Sequence, residues 1–255
     1  MAKYRNLLWI ALWVVLFAAC RPDQGPLLPT GIVEMNFKVV YDGETVVFEK
    51  GSYQYADGKS ISFETFNFYL SNIVLLSESG NAETDLFDIK LVDLSDTSAV
   101  AAAAGKTFSR TGIPVGAYGG IRFDLGVNDE LNTSKGFPDG KYYGAHPLNH
   151  PDQYSETFKS FIFMRVEGLY GDNQEFFRFR PATRPLYMEN IDFPTSILVT
   201  ETSKTQLSFE IDLKDILEAD NNYLDLSTTY ELDETNMETL GYKLMDNLKT
   251  GLTLQ

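Results

Sequence analysis

Both histidines of this 255-residue chain fall in one stretch, Gly140-Lys141-Tyr142-Tyr143-Gly144-Ala145-His146-Pro147-Leu148-Asn149-His150-Pro151-Asp152. They are four positions apart, and each is followed by proline. Imidazole nitrogen suits copper or zinc, while Asp152 and Tyr143, or its neighbour Tyr142, add oxygen donors. His146, His150, Asp152 and Tyr143 are therefore the candidate metal ligands. Proline drives the preceding residue toward extended backbone, so the pair belongs on a folded loop and not on a helix face. Two imidazoles do not complete a four-ligand structural zinc site. The alternative reading of the same residues is a proline-shaped surface loop with solvated or hydrogen-bonded histidines.

The second residue with distinctive chemistry is Cys20, the single cysteine. Lys3 and Arg5 precede an apolar run, Leu7 to Ala19, that is short for a permanent membrane span. It ends in Leu16-Phe17-Ala18-Ala19-Cys20, with small residues at the point where a signal would be cut. That ending resembles the lipobox of bacterial lipoproteins. The resemblance implies removal of residues 1–19, acylation of the Cys20 thiol and stable anchoring by several acyl chains. Residues 20–30, with three prolines and a glycine between Arg21 and Pro29, read as a lipidated tether. Residues 31–255 are expected to form one domain, without an internal disulfide.

After loss of the segment carrying Lys3 and Arg5, 19 basic side chains face 36 acidic ones, a net charge of −17. No basic cluster remains to neutralise phosphates, so nucleic acid is excluded as a partner, and so is charge-driven binding to anionic membrane. The expected membrane contact is the lipid on Cys20. No Gly-x-Ser-x-Gly elbow, His-Glu-x-x-His helix or dinucleotide glycine fingerprint occurs. Gly105-Lys106-Thr107 imitates the end of a phosphate loop, but Val100 stands where its first glycine is needed. The chain is expected to bind, not to catalyse.

The elements that must position the histidines are strands. Val33, Met35, Phe37, Val39 and Tyr41 alternate with polar residues and lead into an Asp42-Gly43 turn. Strands are likewise predicted at Phe66 to Leu76, Phe87 to Leu91, Ile121 to Leu125, Phe161 to Val166, Phe176 to Phe179 and Leu207 to Ile211. Short strands broken by Gly, Pro and Asp turns predict an all-β fold, a β-sandwich or related barrel. One C-terminal α-helix is predicted from Met237, Leu240, Leu244 and Leu248, with a Thr235–Glu238 capping box and Gly251 as its stop. Ala99 to Ala104 reads equally as a helical turn or a loop. The many Phe and Tyr are expected in the core and not on a sugar platform.

Phe68-Tyr69-Leu70-Ser71-Asn72-Ile73, then Ile113-Pro114-Val115-Gly116-Ala117-Tyr118 leading to Ile121-Arg122-Phe123-Asp124-Leu125-Gly126-Val127-Asn128, resemble the MbnP-like copper-binding domain family. His146-Pro147-Leu148, Val166-Glu167-Gly168 and Met245-Asp246-Asn247-Leu248 follow in the family's order. The resemblance covers roughly residues 31 to 250. It implies an envelope β-rich protein that binds or handles copper, with an envelope protein as partner and the outer membrane, on its periplasmic or surface face, as its place. The chain departs from the family pattern where members commonly carry a tyrosine-tryptophan-x-tryptophan run. Ser155 and Thr157 replace the tryptophans, and Trp9 and Trp13 both lie in the signal. A histidine that often follows the next strand is replaced within Phe177-Arg178-Phe179-Arg180. The alternative function is a protein- or glycan-interaction module that keeps the fold without the metal.

Overall fold

The structure, a computed structural model, describes residues 28–132, 137, 140–218 and 223–255. Its strands are β1 (Thr30–Tyr41), β2 (Glu44–Thr45), β3 (Tyr53–Gln54), β4 (Ser60–Ser77), β5 (Glu83–Asp93), β6 (Lys106–Pro114) and β7 (Gly116–Leu125), then β8 (Tyr154–Ser155), β9 (Ser160–Phe161), β10 (Met164–Tyr170), β11 (Glu175–Phe179), β12 (Met188–Val199), β13 (Lys204–Asp212) and β14 (Leu252–Leu254). Among the described residues three α-helices join them: α1 (Ala99–Ala104), α2 (Leu213–Glu218) and α3 (Met237–Gly251).

In β1 the alternating Val33, Met35, Phe37, Val39 and Tyr41 are all buried, as the period of two requires. Asp42 and Gly43 then reverse the chain into β2 with φ of 51° and 79°, the pair of positive values that a tight hairpin turn uses. β1 is the centre of the first sheet. It pairs in parallel with β13, while β6 and β2 share its other edge and β14 extends β13.

The second sheet is built on β4. Asn67 faces Asp93 of β5 and also Arg165 of β10, and Leu70 faces both Lys90 of β5 and Leu125 of β7. So β10 and β7 follow one another along one edge of β4, and β5 occupies the opposite edge. β11 and β12 extend the sheet beyond β10 and β7. The two sheets meet on aromatic side chains. Phe37 and Phe209 of the first sheet stack at 4.9 Å; Phe68 stands edge-on to Phe37, and Phe123 and Phe193 edge-on to Phe209, from the second. Eleven phenylalanines are less than 2% exposed. At about 1.5–3 kcal/mol for each fully buried side chain, these rings hold the sandwich together.

Helix α3 buries Met237, Leu244 and Leu248 as expected, together with Met245 and Gly241, whereas Leu240 is only half-buried. It packs on α2, with the Asn247 amide donating to the Ile216 carbonyl at 2.8 Å, and on Leu186, close beside Gly241. Its start differs from the expected capping box. Asp233 Oδ1 accepts the Thr235 and Asn236 amides, and Asn236 takes the cap position with its side chain turned back to the Asp233 amide and the Glu231 carbonyl instead of to the first turn. Gly251 lies within the helix, because the chain continues straight into β14. The predicted strand Phe161 to Val166 is two strands, β9 and β10, parted at Ile162-Phe163. Ala99 to Ala104 is helical.

Candidate metal centre

Along β4, Phe68 points between the sheets, so by alternation Asn67, Tyr69 and Ser71 point to the outer face of the second sheet. The segment between β7 and β10 folds over that face. Its contacts come from the motifs quoted above. The Tyr69 hydroxyl donates to the Pro147 carbonyl at 2.9 Å, its ring meets Phe161 edge-on, and Ser71 Oγ donates to the Gly126 carbonyl at 2.6 Å. At the adjacent bulge Asn72 has a φ of 51°, and its side-chain amide donates to Asp124 Oδ2 at 2.7 Å. Asp124 is buried and also accepts the Tyr187 hydroxyl at 2.5 Å and the Asn190 amide at 2.7 Å. Asn128 donates to Asn72 and accepts the Leu131 amide, which leads the chain out of β7 into the covering segment.

Leu148 is fully buried and seats the histidine loop on this face. The His146 ring is half-buried and stacks on Tyr142, with centroids 4.4 Å apart and planes at 17°. The Lys141 ammonium lies 5.0 Å from the centre of that tyrosine ring. Burial, then the positive charges of Lys141 and Lys90, holds the His146 pKa below the usual imidazole value. Its Nδ1 accepts the Leu148 amide at 3.1 Å. An accepting Nδ1 places the proton of the neutral ring on Nε2.

His150 is exposed and caps the short 3-10 turn Pro151–Gln153, with an extended backbone and no side-chain cap bond. Asp152 is also exposed, and its carboxylate accepts from Arg165 at 3.1 Å. Tyr143 is 75% exposed. The structure thus puts both imidazoles on one clamped loop, ties Asp152 to β10 and leaves Tyr143 in solvent. Among the described residues no group of three or more His, Cys, Asp or Glu side chains stands close enough together to hold a metal. Cys20 lies outside the described residues.

One charged cluster has no counterpart in the sequence reading. Glu167 is buried on the covered face and takes both oxygens' worth of contact from Arg165, at 3.0 and 3.1 Å, with Arg180 adding a bond of 2.5 Å. Burial alone would raise its pKa; the hydrogen bonds of Arg180 and Arg165 hold it below the usual carboxylate range. Arg165 therefore joins Glu167 to Asp152, and the sheet to the loop. In sequence, Arg165-Val166-Glu167 looks like the solvated face of a strand. Nearby, the side-chain carbonyl oxygens of buried Asn67 and Gln153 have no hydrogen-bond partner.

The family model described as MbnP matches residues 30–239. The chain belongs to the MbnP family. A solved structure, MbnP from Methylosinus trichosporium, is similar over 75% of this chain and 79% of its own length, with a TM-score of 0.50 and 14% sequence identity. At that identity the likeness is one of fold. No curated protein sequence matches the chain. The all-β sandwich with its C-terminal helix is thus the fold of the MbnP family, and the motifs that carry the resemblance meet at the joint between β4, β7 and the covering segment. Where the family resemblance would place tryptophans, Ser155 lies in β8 and Thr157 in the turn of the small β8–β9 hairpin, which Tyr154 opposite Phe161 holds. Where a further histidine often falls, Phe177 and Phe179 fill the core and Arg178 and Arg180 pair with Glu231 and Glu167.

Proposed function

We propose that this protein is an envelope lipoprotein anchored through Cys20, and that it binds copper weakly through the imidazoles of His146 and His150. It works by binding and not by catalysis, with the loop presented to an envelope protein that gives or takes the metal. The observation that carries this reading is the placement of both imidazoles on one loop that Tyr69, Leu148 and Tyr142 fix to the sheet. No protein hydrogen bond engages His146 Nε2 or the His150 ring among the described residues. Membership of the family supports the choice of copper over zinc, and two imidazoles suit copper better than a four-ligand zinc site.

Weak binding follows from the chemistry of the loop. To offer Nε2 to a metal, His146 must carry its proton on Nδ1, which breaks the bond from the Leu148 amide. An unpaired donor costs about 1–3 kcal/mol, or roughly 5- to 150-fold in affinity. The nearby charges of Lys141 and Lys90 also oppose a cation. Copper titration of the wild type against His146→Ala/His150→Ala at neutral pH tests the reading, and binding by the wild type alone is expected. Equal binding by both proteins removes this loop from consideration. No binding by either supports the interaction-module reading, which the pairing of Asp152 with Arg165 favours.

A further inference from the structure

Four aliphatic side chains stand out in solvent among the described residues: Leu28 (76% exposed), Val100 (82%), Val115 (38%) and Leu198 (64%). Three of them share one end of the sandwich. The Val115 amide donates to the Pro29 carbonyl at 3.0 Å, next to Leu28, and Thr30 faces Pro114 across the β1–β6 ladder. Leu198 faces Ala117 in the neighbouring β7–β12 ladder, and a Cβ built on Gly31 would lie 2.7 Å from Val199 Cγ1. Leu28, Val115 and Leu198 therefore surround the point where the chain enters the fold. Scattered single apolar residues are ordinary, but three at one end are a patch.

That end is also the one nearest the anchor. From Cys20 to Leu28 there are eight residue steps, which span at most about 29 Å when fully extended. We propose that this end of the sandwich rests on the lipid surface that holds Cys20, with Leu28, Val115 and Leu198 entering its apolar margin. The inference rests on the anchor in the proposed function and assigns the face that the anchor brings to the membrane. Charge gives no competing explanation. The β12–β13 turn here carries Glu201, and Lys204 is engaged with Glu34 at 2.6 Å, so headgroup attraction does not drive the contact. The geometry has a functional consequence. β7 runs from Gly116 at this end to Leu125, about 30 Å away, where the segment that carries His146 and His150 begins. Docking of this end turns the histidine loop away from the lipid and toward a soluble partner.

The test uses the full chain, purified from membranes with its lipid and rebuilt into phosphatidylcholine vesicles with brominated acyl chains. With Cys20 acylated, the variants Val115→Cys, Leu198→Cys and Val100→Cys each offer one thiol for an environment-sensitive fluorophore. Labels at 115 and 198 should be quenched at least twofold more than the label at 100, which lies on α1 away from this end. In Val115→Glu/Leu198→Glu, a label at Leu28→Cys should lose its quenching while the protein still sediments with the vesicles. Equal quenching at all three positions, or none at 115 and 198 in protein that sediments, overturns the docking and leaves the anchor standing. A chain without acyl mass on Cys20 that stays in the supernatant overturns the anchor, and the docking with it.

Discussion

Asp124 and His146 both belong to the covered face of the second sheet, yet their surroundings are opposite in kind. Around Asp124 the polar groups are paired: a side-chain amide, a hydroxyl and a backbone amide converge on one carboxylate at 2.5–2.7 Å. Asn72 and Asn190, which supply two of those donors, both have positive φ and both sit at breaks in strand register, so the carboxylate holds two bulges in place. Around His146 and His150 the pairing is sparser, with Nδ1 of His146 held by the Leu148 amide, His150 and Tyr143 in solvent, and no third ligand brought in among the described residues. The difference separates two kinds of signal in one sequence. Asn72, Asp124 and Asn128 belong to the runs that carry the family resemblance, and in the structure they are a joint. The residues able to do chemistry lie on the loop that the joint supports.

Removal of the joint should therefore have the largest effect on stability. Asp124→Ala leaves the Asn72 amide, the Tyr187 hydroxyl and the Asn190 amide without their acceptor, and the expected loss is about 3–5 kcal/mol in urea unfolding. His150→Ala, at an exposed position with no side-chain bond, should stay within about 0.5 kcal/mol of wild type. If the two variants lose stability equally, the contrast between joint and loop is wrong.

Alkaline pH acts on the same joint. Burial, and then the bond to Asp124, raises the Tyr187 pKa far above its ordinary value, and burial raises those of Tyr41, Tyr55 and Tyr69. A group whose folded pKa is raised contributes stability below its unfolded value, near 10 for tyrosine, and loses it as pH rises from there toward the folded value. Unfolding midpoints should thus fall above about pH 10, and Tyr187→Phe should make that fall shallower. An unchanged slope in Tyr187→Phe would show that its hydroxyl is not held protonated by the fold.

The parts of this architecture that the sequence shows are those in which a strand has one wet face and one buried face. β1, β5 and β13 have that alternation and α3 its helical counterpart, while β4 and β7 keep the alternation of apolar and polar residues although the covering segment buries Asn67, Ser71 and Asp124. β6 escaped because, from Lys106 to Pro114, only Ile113 is buried and Phe108 and the other residues give no alternation. β12 escaped because Asn190 and the stretch from Pro194 to Ile197 each shift its register and break the pattern. The parallel pairing of β1 with β13 joins segments some 170 residues apart and leaves no local trace. That His146 and His150 lie on an irregular loop was legible from the prolines that follow them. The loss of Asp152 to Arg165 was not, because it depends on the covering segment folding down onto an outward-facing strand residue.

A small change at Tyr69 is the most informative about how joint and loop communicate. Tyr69 stands on β4 between them, and its hydroxyl donates to the Pro147 carbonyl that directly follows His146. Tyr69→Phe keeps the buried ring and its edge contact with Phe161 but removes that bond, so stability should fall by only about 1 kcal/mol. The loop, however, loses the bond that ties it to β4 beside His146 and keeps those within its own turn, among them the Leu148 amide on Nδ1 and the Asn149 amide on the His146 carbonyl. A freer loop lets His146 turn Nε2 toward a metal without the same loss, so copper should bind Tyr69→Phe more tightly than wild type while the unfolding midpoint shifts little. Tighter binding shows that the sheet restrains the site through Tyr69. Unchanged affinity, with the expected small loss of stability, shows instead that His146 is held by its own turn and by Tyr142, and that joint and loop act separately.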